Sequence, residues 1–581
     1  MSNRKRSKFL KLLVIVAMGA VVFRLFFIQI IQHDEWVAKA AEQQTMQNTI
    51  VARRGEIYMM DGNEATVIVM NEPVWAIILD PMIADEERTK EIIDKYAAEQ
   101  RQAEWKDVFG TEGLRYYVVA RGVKRAAAEK IKAEQLPGVW FQEGVQRVYP
   151  EGQMATPLLG FVNAEGKGQY GVEGALDKEL AGVNGVLKTV KDVNNIPLTI
   201  GSDNVRVPAV DGKNIVLSID RNIQHAAEKA LANALERSQA SHASALVMDP
   251  RTGKIWAMAN LPTYDAAKYV EVEDATVFQN GVVEDAYEPA SVCKTFAFAA
   301  GIEEGVMKPE STYYNSGSLT IDGWPIENAY KGQYGQITMQ TALNYSLNTG
   351  SMQALMWLGG SDSQITQTGR EKLYEYYYKR FGFGQYTGIE LFESPGLVVG
   401  PNEGYGLNSR YANMTFGQNL NLTMIQVATA FSAVVNGGEY FTPTIVAGEM
   451  VNGEFKQNPM REPVRQIIST NTSATMRKML YNTRQGRRLA GVDKPGYYVG
   501  GKTGTAQVIR DGAYVMDETK ATYVGFGTSG DADSSDLPEY VIMVKIWEEG
   551  KRIEGERDAM PLFDEISNFM LDYLKIKPKE S

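Results

Sequence analysis

A long apolar run near the N-terminus constrains this chain of 581 residues more than any other feature of its sequence. From Leu12 to Ile31 the residues are apolar except for Gly19, Arg24 and Gln29. About twenty helical residues rise roughly 30 Å, which is the thickness of the hydrocarbon core of a bilayer. The run therefore predicts a transmembrane helix over residues 12–31.

The charges that flank this run predict its orientation. Basic residues precede it (Arg4, Lys5, Arg6, Lys8 and Lys11), whereas the first acidic residue is Asp34. Because basic flanks stay in the cytoplasm, residues 1–11 should form a cytoplasmic tail and the chain after Ile31 should lie outside. The alternative is a cleaved signal peptide with its site at Ala38–Lys39–Ala40. That site lies well past the apolar run, which favours an uncleaved anchor.

Charge and the scarcity of metal-ligating residues exclude several classes of function. With 71 acidic and 60 basic residues the net charge is −11, whereas a nucleic-acid-binding protein needs a basic face. The one cysteine, Cys293, cannot form an intrachain disulfide or a cysteine-rich zinc site. Three scattered histidines leave little for a metal enzyme or a histidine-based triad. Any nucleophile should therefore use a base other than histidine.

The rest of the chain divides into two regions by its pattern of strands and helices. Residues 32–210 contain strand-like runs at Ala65–Met70, Trp75–Leu79 and Tyr116–Ala120 and a helical stretch at Asp85–Gln102. After Asp211 the pattern becomes strand, helix, two strands, a long and largely helical insert, three strands and a helix. The strands are Ile215–Ile219, Ser244–Met248, Ile255–Ala259, Lys502–Val508, Thr522–Phe526 and Tyr540–Trp547, and the final helix is Leu562–Leu574. This order predicts an α+β fold with a central antiparallel sheet flanked by helices.

Ser291 and Lys294 are the first candidates for chemistry. Pro289 and the apolar residues after Lys294 indicate that a helix begins here, so the two side chains share a helix face. Serine needs a base to remove its proton, and Lys294 can serve if burial or a nearby cation lowers its pKa from about 10.4. Cys293 points to another face and is expected in the core. The pattern alone is weak, because a serine at a helix start is usually an N-cap.

Two later motifs, Ser346-Leu347-Asn348 and Lys502-Thr503-Gly504, complete a set. Each is weak alone, since the first also fits a turn and the second also fits a strand with one exposed lysine. In this order, however, S-x-x-K, S-x-N and K-T-G are the motifs of penicillin-binding proteins and class A β-lactamases. Residues 496–503 also fit a phosphate-binding P-loop. A P-loop should open a helix, whereas Thr503–Val508 has the pattern of a strand.

Over nearly its whole length the chain resembles a class B penicillin-binding protein. The segments similar to that class's pedestal motifs are Arg54–Ile57, Arg147–Pro150 and Gly171–Gly174, although Met59–Gly62 replaces the expected Asp-Arg-Asn-Gly. The resemblance implies an elongated α/β pedestal (dimerisation-type) domain over residues 32–210 and a transpeptidase domain over residues 211–581. The run Glu288–Ser291 favours the division-type branch over the elongation-type.

The resemblance also implies the reaction. It is a D,D-transpeptidation of peptidoglycan stem peptides ending in D-Ala-D-Ala, without metal or cofactor and inhibited by β-lactams. Ser291 would be the nucleophile, Lys294 its base and Ser346 the proton relay to the leaving amine. The resemblance implies that Asn348 orients Lys294 and the donor amide. It implies that Lys502 lowers the pKa of Lys294 and attracts the terminal carboxylate. The implied substrate-binding residues are Thr503, Gly504 and Thr505, and the implied oxyanion hole is formed by the backbone N–H groups of Ser291 and Thr505.

The same resemblance implies a single-pass protein of the bacterial cytoplasmic membrane, working with a polytopic glycosyltransferase and division proteins. Three alternatives stay open: an elongation-type transpeptidase, a scaffold of the division complex, and a membrane-anchored β-lactamase. The β-lactamase would need a glutamate to activate water, and the candidates between the second and third motifs are Glu371, Glu375, Glu390, Glu393 and Glu403.

Overall fold

The computed structural model describes residues 3–36, 39, 45–102, 104–111, 113–190, 205–486, 493–510, 512–530 and 535–579. It begins with an α-helix, Asn3–Phe26, that continues as a π-helical turn, Phe27–Ile31. Within the described residues, the helical segment Arg6–Ile31 alone is long and apolar enough to cross a membrane, judged by length and composition. This segment contains the run predicted to span the bilayer.

The chain forms two compact units, Met1–Gly55 with Ala181–Lys213, and Glu56–Leu180 with Asn214–Ser581. The first unit contains, after its helix, a three-stranded antiparallel sheet made of Thr45–Ile50, Gly185–Val190 and Val205–Val207. The Asn184 side chain accepts a hydrogen bond from the Ala52 backbone N–H at 2.8 Å. Residues 181–190 and 205–210, which we assigned to the pedestal, thus belong to the same unit as the segment that follows the N-terminal helix.

The second unit holds a seven-stranded sheet that includes strands from both sides of residue 210. Its strands run in the order Glu454–Gln457, Val446–Val451, Ile215–Asp220, Ile57–Asp61, Glu64–Leu79 and Tyr117–Lys124, and Val139–Val148 also pairs with Glu64–Leu79. Two predicted strands, Ala65–Met70 and Trp75–Leu79, are parts of this one long strand. The helices Glu86–Ala97 and Arg125–Ala133 bury their apolar faces, including Ile93 and Ile131, in a core cluster shared with the sheet.

A five-stranded antiparallel sheet forms the centre of the C-terminal region, as predicted. Its order is Ile255–Leu261, His242–Met248, Tyr540–Trp547, Ala513–Ser529 and Tyr497–Arg510. Successive side chains of a strand face opposite sides. Val247 accordingly joins a core cluster with the helices Arg221–Ser238 and Met560–Tyr573, whereas Leu246 joins the larger core that contains the helices Lys294–Glu303, Asn348–Leu358 and Met424–Val435.

The insert between the second and third strands of this sheet is less helical than expected. It contains small antiparallel strand pairs: Thr312–Asn315 with Gly335–Thr338, Ser318–Ile321 with Trp324–Glu327, and Glu439–Tyr440 with Arg465–Gln466. Its further helices are Met339–Asn344, Gln367–Tyr374, Leu407–Met414 and Thr470–Gly486, with 3-10 turns at Ala266–Glu271, Ala275–Phe278 and Ala290–Cys293 and a π turn at Glu375–Arg380.

The remaining short elements lie outside the insert. They are the helices Trp105–Phe109, Thr156–Leu159, Gly171–Ala175 and Asp177–Ala181, a 3-10 turn at Ala98–Gln100, a π turn at Gly555–Ala559 and the strand pair Phe161–Val162 with Gly168–Gln169.

Candidate active site

Ser291 lies in a 3-10 turn, Ala290–Cys293, that leads directly into the helix Lys294–Glu303. In a 3-10 turn the side chains at positions i and i+3 are eclipsed. This geometry places the Lys294 Nζ 2.8 Å from the Ser291 Oγ. The predicted pairing of the two side chains is therefore present, through a turn tighter than the α-helix that we expected.

The Ser346 side chain lies between the ammonium groups of Lys294 and Lys502. Its Oγ is 3.1 Å from the Lys294 Nζ and 3.0 Å from the Lys502 Nζ. The Lys294 Nζ also donates to the Ser346 carbonyl oxygen at 2.8 Å. Three stretches of chain that are distant in sequence thus bring the hydroxyls of Ser291 and Ser346 and the amines of Lys294 and Lys502 into a continuous hydrogen-bonded chain.

Burial and charge together lower the pKa of Lys294 well below its usual value. Its side chain is 0% exposed, and loss of hydration, which disfavours the ammonium form, is the larger cause. The positive charge of Lys502 is the second cause. A lysine with a lowered pKa can be neutral near physiological pH and can accept a proton from Ser291.

Two residues of the site have strained backbones. Ala290, which precedes the nucleophile, and Ser346 have φ angles of +52° and +54°. A non-glycine residue in the left-handed region costs on the order of 1–3 kcal/mol, and such strain is concentrated at functional sites. At Ser346 this conformation accompanies a carbonyl oxygen that is hydrogen-bonded to Lys294.

Glycines allow the strand and a loop to approach the turn that carries Ser291. A Cβ at Gly504 would lie 2.3 Å from the Thr522 Oγ1 and 2.8 Å from the Pro289 carbonyl oxygen. A Cβ at Gly417 (φ +81°) would lie 2.1 Å from the Ala290 carbonyl oxygen. Because Gly504 has no side chain, the strand Tyr497–Arg510 can pack against the turn that carries Ser291.

A cleft of about 1100 Å³ opens over these residues. Ser291, Ser346, Asn348, Thr503 and Thr505 all line it. The Lys502 side chain is 2% exposed, and its Nζ also donates to the Thr503 carbonyl oxygen at 3.1 Å. The Thr505 Oγ1 accepts a hydrogen bond from the Gly555 N–H at 3.0 Å.

The structure gives Asn348 a contact that was not predicted. Its side-chain amide donates to the Glu327 carbonyl oxygen at 2.7 Å. Among the hydrogen bonds of the described residues, the Lys294 Nζ donates to the Ser291 Oγ and to two oxygens of Ser346, and none joins it to Asn348. Asn348 still lines the cleft.

Sequence reasoning missed one wall of the cleft. This wall is the hairpin formed by Ser318–Ile321 and Trp324–Glu327, from which Trp324 projects with 70% exposure. The signal was available, because Asp322-Gly323 between two short strand-like runs favours a tight hairpin turn. Both turn residues have positive φ angles, +49° and +81°.

None of the glutamates considered as a water-activating base is among the residues lining the cleft. Glu390 accepts hydrogen bonds from Thr444 and from the Ile445 N–H, and Glu393 from Thr387 and the Gly388 N–H. Glu371 pairs with Gln367, Glu375 with Arg380, and Glu403 is close to the Gly400 N–H. The cleft carboxylates are instead Glu327, Glu554 and Glu556.

The P-loop alternative is excluded by the backbone. Residues Tyr497–Arg510 form one continuous strand that pairs with Ala513–Ser529. A P-loop requires a helix immediately after the lysine.

In the part of the chain that the structure describes, no group of three or more His, Cys, Asp or Glu side chains is arranged to hold a metal ion.

Comparison with known proteins identifies both regions. Residues 243–568 match the penicillin-binding protein transpeptidase domain, and residues 49–217 match the penicillin-binding protein dimerisation domain. Stage V sporulation protein D of Bacillus subtilis is 28% identical over 98% of this chain and 87% of its own length. Penicillin-binding protein PbpB of Mycolicibacterium smegmatis is 30% identical over 78% of this chain and 69% of its own.

Two further similarities extend over almost the full length. Peptidoglycan D,D-transpeptidase FtsI of Escherichia coli is 26% identical over 97% of this chain and 91% of its own. The crystal structure of penicillin-binding protein 3 from Mycobacterium tuberculosis complexed with ampicillin covers 92% of this chain and 98% of its own, with a TM-score of 0.67 and 24% identity. The chain therefore belongs to the class B penicillin-binding proteins, in which a dimerisation domain precedes a transpeptidase domain.

Proposed function

We propose that this protein is a serine D,D-transpeptidase that cross-links peptidoglycan stem peptides through an acyl-enzyme on Ser291. One observation carries the proposal: the buried Lys294 amine lies 2.8 Å from the Ser291 Oγ, and the second cation, Lys502, is joined to it through Ser346. A serine next to a base of lowered pKa is the arrangement that nucleophilic catalysis needs.

The first half-reaction acylates Ser291. Its Oγ attacks the carbonyl carbon of the penultimate D-Ala while the proton passes to the Lys294 Nζ. The C–N bond to the terminal D-Ala then breaks, and the leaving amine takes a proton through Ser346. Ser346 can relay this proton because it is within hydrogen-bond distance of both lysines.

The second half-reaction transfers the acyl group to an acceptor amine. The amine attacks the ester carbonyl, loses its proton to the same base and restores the Ser291 hydroxyl. Lys502, Thr503 and Thr505 are placed to bind the carboxylate of the donor, since Lys502 is cationic and both threonines line the cleft. Backbone N–H groups of Ser291 and Thr505 would stabilise the oxyanion, each being worth about 2.7–4 kcal/mol in other acyl-transfer enzymes. Asn348 would orient the donor amide from the opposite wall of the cleft.

The anchor and the relatives support a cellular setting that we propose as follows. The N-terminal helix anchors the chain in the cytoplasmic membrane, with the basic tail inside and the cleft outside, where peptidoglycan is assembled. The relatives FtsI and Stage V sporulation protein D support a role in septal wall synthesis over one in elongation. A polytopic glycosyltransferase and other division proteins are the partners that this role requires.

Aminolysis tests the reaction directly. The full-length protein in detergent is incubated with a stem-peptide thioester and an amine acceptor, and the products are separated by mass. We expect the cross-linked amide, its loss in Ser291→Ala, and its retention in Ser409→Ala, which changes a third cleft serine that hydrogen-bonds to the Gly406 carbonyl.

The same assay separates the alternative functions. Hydrolysis of the thioester without amide formation, together with release of a penicilloyl group within seconds, would replace the transpeptidase by a β-lactamase. Absence of any Ser291-dependent product would leave the scaffold role.

A further inference from the structure

A buried carboxylate lies just before the nucleophile and has no part in the mechanism above. The Glu288 side chain is 6% exposed and accepts a hydrogen bond from the Asn419 backbone N–H at 2.7 Å. It also accepts one from the Tyr514 hydroxyl, whose Oη lies 3.1 and 3.2 Å from the two carboxylate oxygens. Both donors are neutral, so Glu288 is held by hydrogen bonds and not by an ion pair.

Glu288, Asn419 and Tyr514 belong to three segments of chain, each of which contributes neighbouring residues to the lining of the cleft. Glu288 is three residues before Ser291. Asn419 follows a loop in which Phe416 and Gln418 line the cleft. Tyr514 is near the start of the strand Ala513–Ser529, in the hairpin from which Met516 enters the cleft.

Other hydrogen bonds in this region involve either the turn and the loop or the loop and the hairpin. The Ala290 N–H donates to the Gly417 carbonyl oxygen at 3.1 Å, which ties the nucleophile turn to the loop alone. The Asn419 side chain reaches the Tyr514 Oη at 3.5 Å. Among the hydrogen bonds of the described residues, those of Glu288 and Asn419 are the ones that join Tyr514 to the turn and the loop.

Burial raises the pKa of Glu288, and its two hydrogen bonds oppose that shift. A buried acceptor that loses a donor suffers the full desolvation penalty. Loss of either donor should therefore disturb the position of the Glu288 carboxylate. The carboxylate can thus hold Asn419 and Tyr514 in one geometry.

We propose that Glu288 is a positioning residue that clamps the hairpin of Tyr497–Arg510 and Ala513–Ser529, through Tyr514, to the turn that carries Ser291. The clamp fixes the width of the cleft between the Ser291 turn and the strand that binds the donor carboxylate. It acts before the acyl bond forms and contacts no reacting atom. This inference rests on the proposed function, because its consequence is the rate at which Ser291 is acylated.

The test is stopped-flow acylation of the full-length protein by a fluorescent penicillin, which separates non-covalent binding from the acylation rate constant. We expect Tyr514→Phe to lower that rate constant by about tenfold, as for loss of one hydrogen bond to a buried carboxyl group, in a protein that is less stable but still folded at the assay temperature. Glu288→Ala should lower it further, and Glu288→Gln should recover part of the loss because its amide oxygen can still accept from Asn419. Hydrogen exchange of residues 513–518 should become faster in each variant.

A double-mutant cycle supplies the decisive comparison. In the Glu288→Ala background, Tyr514→Phe should have no further effect on the rate constant. Tyr376→Phe is the matched control: its hydroxyl donates to the Glu304 carboxylate at 2.9 Å, away from the cleft, and its loss should leave acylation unchanged. Tyr514 is 38% exposed, so its variant should fold even if Glu288→Ala does not.

Two results would overturn the clamp. One is a Tyr514→Phe rate constant and hairpin exchange within twofold of wild type, and the other is full additivity in the cycle. If wild-type protein itself were not acylated at Ser291, the proposed function would fail as well, so the two failures can be told apart.

Discussion

Replacing Lys502 by methionine removes the charge that assists Lys294 while nearly keeping the side-chain volume. Both Nζ atoms contact the Ser346 Oγ, at 3.1 Å and 3.0 Å, so they are at most about 6 Å apart. Two unit charges at about 6 Å repel each other by about 3 kcal/mol at the effective dielectric constant of about 20 that suits protein sites. Removing this repulsion lets Lys294 hold its proton more tightly.

The sign of the pH effect follows from the role of Lys294. In the proposed mechanism its neutral form is the base, so acylation of Ser291 should rise with pH as Lys294 loses its proton. Loss of the Lys502 charge raises the pKa of Lys294, because repulsion by Lys502 is one of the two causes that lower it. The rising limb of the pH–rate profile should therefore move to higher pH.

The assay is the pH dependence of acylation by a fluorescent penicillin, with Lys331→Met as a matched control. Lys331 is a cleft cation that pairs with Glu327 and contacts neither serine. Lys502→Met should also lower the rate at every pH, because a partner of the penicillin carboxylate is lost, but the readout is the position of the limb. A limb that stays in place, with only the plateau lowered, would refute the coupling between the two lysines.

Three further substitutions or treatments follow from the packing. Gly504→Ala should abolish acylation and cost roughly 1–3 kcal/mol of stability by denaturant unfolding, since the new Cβ would lie 2.3 Å from the Thr522 Oγ1; normal acylation would contradict this close packing. Arg147→Met should destabilise by about 3–5 kcal/mol, because it leaves the fully buried Glu173 without its 2.7 Å ion pair; a melting temperature equal to wild type would show that the pair contributes little. Cys293 should react with iodoacetamide only on unfolding, because burial raises the pKa of its thiol; rapid alkylation of the native protein with loss of penicillin binding would make it a rival nucleophile.

The sequence predicted strands most reliably where successive side chains are buried on opposite faces of a sheet. The five strands of the C-terminal sheet alternate between two apolar cores, so their runs were recognisable. The seven-stranded sheet was not, because Ile215–Asp220 pairs in parallel with Ile57–Asp61 across more than 150 residues of chain. No local pattern specifies such a partner, and the boundary placed at residue 210 therefore divides one sheet.

The residues of the site were likewise predictable where motifs specify them, and unpredictable where contacts between distant parts of the chain decide them. Motif order brought Ser291, Lys294, Ser346 and Lys502 together, and the structure places their side chains in contact. The contact of Asn348 with the Glu327 carbonyl oxygen could not be predicted, because Glu327 belongs to a separate hairpin of the insert. The role of Glu288 was also out of reach, since its partners are an amide N–H and a hydroxyl more than 130 and 220 residues away.

Mass spectrometry of penicillin-treated protein is the shortest route to showing whether Ser291 forms a stable acyl-enzyme. We expect one adduct per chain, located on the peptide that contains Ser291, persisting for hours and absent from Ser291→Ala. An adduct on another residue, or one that disappears within seconds, would rule out the proposed reaction.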